Sequence, residues 1–238
     1  MSASVPAIAQ AGRRFLRHFA ATFAAVDLAL PLVLLVYAGA TQQAFWGFFR
    51  FDDAPSEWLS SVQCVAIAML AWANYVVHRG LHSVRTPGLF AHAWVWWIFA
   101  AGFLLASLDE RFDLHEMLRD QLLVPAELFI ELPWIVPGDV GLWFAFVVGL
   151  PFAVLLLEEL RRWPPALALF ASAVLLTLPV IMIDSFSDAT LRDWPFRTFW
   201  DYPFEEIGEL WAQLLFLLAF ASVLRGRLGQ LAPLDRSL

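Results

Sequence analysis

Six runs of apolar residues, most of them close to twenty long, constrain this chain more than anything else in it. They cover residues 19–40, 58–77, 88–108, 140–157, 165–183 and 207–224. A helix needs about 20 apolar residues to cross a hydrocarbon core about 30 Å thick. The pattern predicts an all-α, polytopic integral membrane protein with six transmembrane helices. Composition points the same way, with 61% hydrophobic residues, 16% charged ones and a mean hydropathy of +0.67. Soluble domains carry roughly a quarter charged residues. Residues 1–238 read as a single domain, because no polar stretch is long enough to fold separately.

Orientation follows from the arginines, since the chain has no lysine. Ten of the fifteen lie in the head, the second and fourth connections and the tail, including Arg13, Arg14, Arg17, Arg79 and Arg85. The excess of positive charge on the cytoplasmic side predicts that both termini are cytoplasmic, in the inner (cytoplasmic) membrane. Acids count the opposite way: of 22, only Asp27, Glu158, Glu159 and Asp235 fall away from the outer side. Trp46, Trp58, Trp134, Trp143, Trp194, Trp200 and Trp211 fall near outer boundaries, where an amphipathic ring is most comfortable. The first run ends Ala38-Gly39-Ala40, as a signal peptide does, but it is longer than the usual 7–15-residue apolar segment. A retained first span is expected. Residues 121–134 are too short to span and read as an interfacial helix on the outer face, begun by Pro125 and stopped by Pro133.

The candidate site begins where the third run ends, at Leu108–Asp120. If that helix simply continues, Asp109, Asp113, Glu116 and Asp120 stack on one face at spacings of four, three and four. Like charges so placed need a metal ion, a proton, an arginine or open water among them. His115 with carboxylates is a ligand set that suits Zn, Mn or Fe, and the same groups can serve as a general acid and base near a lipid headgroup. The plainer alternative is a solvated acidic cap, with Glu116 and Arg119 three apart. A second acidic group, Asp201–Glu209, opens the sixth run, where Glu205 and Glu209 share a face. Glu209 already enters apolar sequence, a costly place for a charge. Asp184 and Asp188 lie at the outer end of the fifth run.

Leu108, Asp109 and Glu110, then four residues, then His115 and Glu116 resemble a span-end motif of uncharacterised bacterial multi-pass membrane proteins. The resemblance covers one span end and implies a family of unknown activity. There is no H-E-x-x-H motif and no E-x-x-H pair of the di-iron kind.

Two further groups are weaker. His78, His82 and His92 could hold a metal or haem, but beside Arg79 and Arg85 the favoured reading is that they bind lipid phosphate or nothing. Asp27 lies inside the first run, with Asn74 or His92 as its expected partner, and Pro31, Pro151 and Pro179 are expected to kink their helices. Cys64 is the sole cysteine and lies in an apolar run, which excludes an internal disulfide and a thiolate cluster. No glycine-rich phosphate loop or basic, aromatic-interleaved patch suggests nucleotide or nucleic acid.

Three functions remain open. The first is a divalent-metal-dependent enzyme acting on a lipid or lipid-linked substrate at the outer interface. In it Asp109, Glu116 and Glu209 ligate, His115 ligates or shuttles a proton, and Glu205 is the base. The second is a cation- or proton-coupled transporter using Asp27. The third is a non-catalytic assembly factor whose acidic face docks a basic partner. The sequence leaves oligomeric state open. All readings of a joint site need the acidic ends of the third and sixth spans to leave the membrane on the same side.

Overall fold

The computed structural model describes residues 5–41, 44–49, 54–85, 93–128, 140–185 and 203–231. The elements are α1 (Val5–Thr41), a short 3-10 turn (Phe45–Phe49), α2 (Pro55–Arg85), α3 (Ala93–Phe112) and α4 (Leu114–Leu118). A π-helical turn (Arg119–Leu123) follows, then α5 (Val140–Leu160), α6 (Pro164–Ser185) and α7 (Glu205–Leu231). Six of these, all but α4, are long and apolar enough to cross a membrane. Among the described residues the protein is all-α.

Local sequence explains the boundaries. α2 and α6 both begin on a proline, which fits the first helical position because its missing N–H would have no partner there. Glu57 in the first turn of α2, and Glu205 and Glu206 in that of α7, meet the positive end of the helix dipole. α5 and α6 are joined by a tight turn in which the Trp163 N–H donates to the Leu160 carbonyl at 2.7 Å. Pro31, Pro151 and Pro179 all lie within continuous helices.

α7 is the hub. It packs against α1, α2 and α6, while α2 also lies along α3. Aromatic rings fill the middle: Trp96–Phe220 at 5.1 Å, Phe103–Phe216 at 5.2 Å and Phe99–Phe170 at 5.7 Å between centroids, mostly edge to face. In lipid the hydrophobic effect cannot drive helices together, so close packing of this kind and small residues at the seams must do so. Gly208 and Gly226 are two such seams. A Cβ on Gly208 would sit 2.7 Å from Val180 Cγ2, and one on Gly226 would enter the Trp163 ring.

Outside these spans the structure departs from expectation. The expected interfacial helix over 121–134 is a π-helical turn followed by turns at 124–127, so Pro125 ends helical structure instead of starting it. Its remainder, including Glu131, Pro133 and Trp134, lies outside the described residues, as do His92, Asp188, Trp194, Trp200 and Asp201.

Gly226→Ala and Gly208→Ala should each lower the thermal unfolding midpoint in detergent, since overpacking a close seam costs about 1–3 kcal/mol. Unchanged midpoints would show that α7 does not approach α6 and Trp163 this closely.

Candidate functional site

At one end of the bundle the start of α2, the end of α3 and the start of α7 come together. Gln213 on α7 donates through Nε2 to Ser60 Oγ on α2 and reaches Glu110 Oε1 on α3 at 3.5 Å. Ser60 also hydrogen-bonds the Glu110 carboxylate, and Glu57, Asp109 and His115 all act on that carboxylate electrostatically. Cys64, one turn further along α2, lies within electrostatic reach of both Glu110 and Glu209. The acids of α3 and α7 therefore share one end.

Beside this cluster the chain breaks. Asp113 adopts the left-handed conformation (φ 48°, ψ 46°), which the short polar side chains of Asp and Asn tolerate best. α3 therefore stops at Phe112 and α4 restarts in a new direction. The break folds His115 back over Asp109. Asp109 Oδ1 accepts the His115 backbone N–H at 2.8 Å, and Asp109 Oδ2 lies 3.1 Å from His115 Nδ1. The carboxylate thus caps the restarted helix and orients the imidazole with the same two oxygens. Both side chains are about a quarter exposed. A carboxylate at Nδ1 fixes the tautomer and the ring orientation of a histidine.

An apolar groove of about 610 Å³ runs along the α2–α3 seam, lined by Val65, Met69 and Trp72 on one side and Trp97, Ala101 and Leu104 on the other. One turn towards the acidic end, Ser61 and Ser107 close its floor with reciprocal hydrogen bonds of 3.0–3.1 Å. One further turn on, the Arg111 guanidinium stacks over the Trp58 ring at 4.2 Å. The groove is apolar along its length, and this cation stands about two turns beyond its last lining residues.

The opposite end holds a buried charge network. Arg227 on α7 donates to the Asn74 carbonyl at 2.7 Å, to Asn74 Oδ1 at 3.1 Å and to Glu159 Oε1 on α5 at 2.8 Å. Its Nη2 is 2.9 Å from His78 Nδ1, and its guanidinium lies 4.9 Å from the Trp96 centroid. Asn74 in turn donates to the Phe220 carbonyl at 2.9 Å. Four helices are tied through one side chain.

The family described as "Domain of unknown function (DUF8692)" matches residues 15–224, a stretch that takes in both ends of this bundle. The chain belongs to the DUF8692 family. No curated protein and no solved structure matches it.

Several expectations change in this DUF8692 bundle. Asp109, Asp113, Glu116 and Asp120 do not stack on one face, because the helix that would align them ends before Asp113. Glu116 forms an i,i+3 ion pair with Arg119 at 3.1 Å. Arg119 also holds Asp120 at 2.8 Å and keeps that exposed carboxyl below the usual aspartate range. Glu205 and Glu209 are half-buried on α7, and Asp184 stands in the last turn of α6. Among the described residues no group of three or more His, Cys, Asp or Glu is placed to hold a metal ion. Asp27 is fully buried and accepts a hydrogen bond from Gln63, while its expected partner Asn74 serves Arg227. His78 has a single carboxylate beside it among the contacts described: Glu159 Oε1 lies 3.6 Å from its Nδ1. The His82 side chain lies outside the described residues.

Among the groups missed in the sequence, Ser56, Ser60 and Gln63 lie on one stripe with Asn74 and His78. These side chains are all buried and recur along α2 at helical spacing, interleaved with Ile67 and Ala71. A polar stripe through an apolar span was the signal available.

Removing one partner of a buried ion pair strands the other, at a cost of about 3–5 kcal/mol. Arg227→Met should lower reversible unfolding stability in mixed micelles by that order, and Arg227→Met with Glu159→Leu should recover much of it. A double variant as unstable as the sum of the singles would show that the network is not coupled.

Proposed function

We propose that this chain is a membrane-embedded enzyme that performs acid–base chemistry on a lipid or lipid-linked substrate, at the outer face of a bacterial cytoplasmic membrane with both termini inside. The observation that carries this reading is the Asp109–His115 pair standing beside the half-buried Glu110, one to two turns beyond the last residues that line an apolar groove. Asp109 fixes the imidazole, and His115 Nε2 takes a proton from an attacking hydroxyl or water. Glu110, supported by Ser60 and Gln213, stands on the inner side as the second carboxyl. The groove would take the substrate's chain and the Arg111–Trp58 pair its headgroup. Side entry from the bilayer suits a groove open along its length better than entry from water.

Lipid vesicles carrying the protein, followed by mass spectrometry of the lipid pool, test this. His115→Gln and Glu110→Gln should each slow turnover about 10²-fold or more, the usual weight of a positioned acid or base, while Glu116→Gln should leave it within a few-fold. Turnover untouched by His115→Gln would sink the assignment. Elemental analysis of the same preparation decides whether His115 ligates: a stoichiometric metal that disappears with His115→Ala would make Asp109 its orienting partner.

A second reading, a proton- or cation-coupled transporter, is favoured by one observation. The Asp27–Gln63 pair lies along α2 from Ser60 towards Asn74, so buried polar groups continue inward from the acidic end. An intramembrane carboxylate of this kind marks ion pathways. Proteoliposome ion flux that stops with Asp27→Asn would establish it, and flux absent from the wild type would remove it.

A further inference from the structure

The end of the bundle that carries Arg227 also bears a second basic feature, separate from that buried network. Arg13, Arg14 and Arg17 on α1 and Arg225 on α7 line one cavity of about 220 Å³, together with Gln10. Residues more than two hundred positions apart in sequence are brought to it because α1 packs along α7. Leu16 is buried at that seam, Gly12 lies against Leu228, and Arg13 donates to the Leu228 carbonyl at 3.5 Å. That carbonyl bond is the cavity's main internal tie. Among the described residues none of the four arginines has a carboxylate partner. Glu159, an acid at this end of the bundle, pairs with Arg227 and His78.

Four guanidinium groups around one small cavity repel one another unless an anion sits among them. Guanidinium forks match phosphate oxygens two at a time. Depth narrows the choice of anion. The apolar run of α1 begins at Phe19 and that of α7 ends at Leu224, so Arg17 and Arg225 stand at the very edge of the hydrocarbon and Arg13 and Arg14 one to two turns beyond it. That is the level of lipid headgroups, and basic pockets between membrane helices are where anionic headgroups are held.

We infer that Arg13, Arg14, Arg17 and Arg225 form a binding site for the phosphate of an anionic membrane phospholipid, wedged between α1 and α7. The site is independent of the chemistry at the acidic end. Its occupant neutralises the cluster and holds α1, which otherwise packs with little of its surface buried, against the hub helix.

Native mass spectrometry of the detergent-purified full chain, with phosphatidylglycerol, phosphatidylcholine or inorganic phosphate added, tests this. The wild type should retain phosphatidylglycerol at least tenfold over phosphatidylcholine. Arg13→Gln, Arg17→Gln and Arg225→Gln should each weaken retention about fivefold, the weight of one basic residue near an anionic surface. Gln10→Trp, which fills the cavity and keeps every charge, should abolish the preference in a folded protein. Arg79→Gln, which removes a charge outside the cavity, should not. Equal retention of the two lipids, an undiminished preference in the Gln10→Trp chain, or displacement by millimolar inorganic phosphate would each overturn the lipid assignment.

Discussion

A polar side chain buried in a membrane bundle has no water to turn to, and most of this structure can be understood as answers to that constraint on α2. Its buried stripe carries Ser56, Ser60, Gln63, Asn74 and His78, and the pairings traced above answer four of them from other helices. Gln213 of α7 answers Ser60, Asp27 of α1 answers Gln63, and Arg227 of α7 answers Asn74 and His78 together. Hydrogen bonds between membrane helices are individually modest, about 0.6 kcal/mol on average. Their value here is directional, because together they fix the rotation of α2 against α1 and, at two levels, against α7. The aromatic packing around Phe220 is compatible with small slips, whereas the amide and guanidinium geometry is not.

This explains which parts of the fold were legible in the sequence. Span number followed from apolar length alone, since length against bilayer thickness admits little else. The meeting of α3 and α7 at one end followed from the asymmetry of arginines and acids. The partners of Asp27 and His78 did not follow, because burial of a neutral amide such as Gln63 or Asn74 leaves no trace in charge counts. The break at Asp113 was hidden for another reason. Nothing in Arg111-Phe112-Asp113-Leu114 forbids a helix, and the left-handed residue persists because Asp109 caps the restarted turn from one turn earlier. A side-chain cap from six residues back overrode helix propensity, and it turned a supposed row of four repelling acids into one oriented histidine.

The two ends of the bundle solve opposite electrostatic problems. At the acidic end Glu57, Asp109, Glu110 and Glu209 crowd together, relieved by hydrogen bonds from Ser60 and Gln213 and by His115. At the other, arginines outnumber acids, and the one well-placed acid, Glu159, is spent on the most buried guanidinium. Arg227 could not be left without it, since a lone charge at that depth is far more costly than an arginine at the surface. The outlying arginines on α1 and α7 are the remainder after that pairing, and their position at headgroup level is what makes their uncompensated charge tolerable.

A sidedness of this kind also bears on how a substrate would reach His115. Beneath the acidic end Ile67, Phe216 and Phe220 pack into the bundle core, an apolar barrier to a headgroup beside the polar line of Gln63 and Asp27. From the aqueous face, a ligand would have to pass carboxylates that repel any phosphate. The α2–α3 seam avoids both barriers. Its apolar length stabilises a hydrocarbon chain before the head arrives, and Arg111 over Trp58 offers a cation on the approach. The serine pair at Ser61 and Ser107 keeps the two helices together there without filling the groove with side-chain bulk. An anionic headgroup drawn along that seam would come to rest at Arg111, two residues from Asp109, with the acids ahead of it acting as a stop.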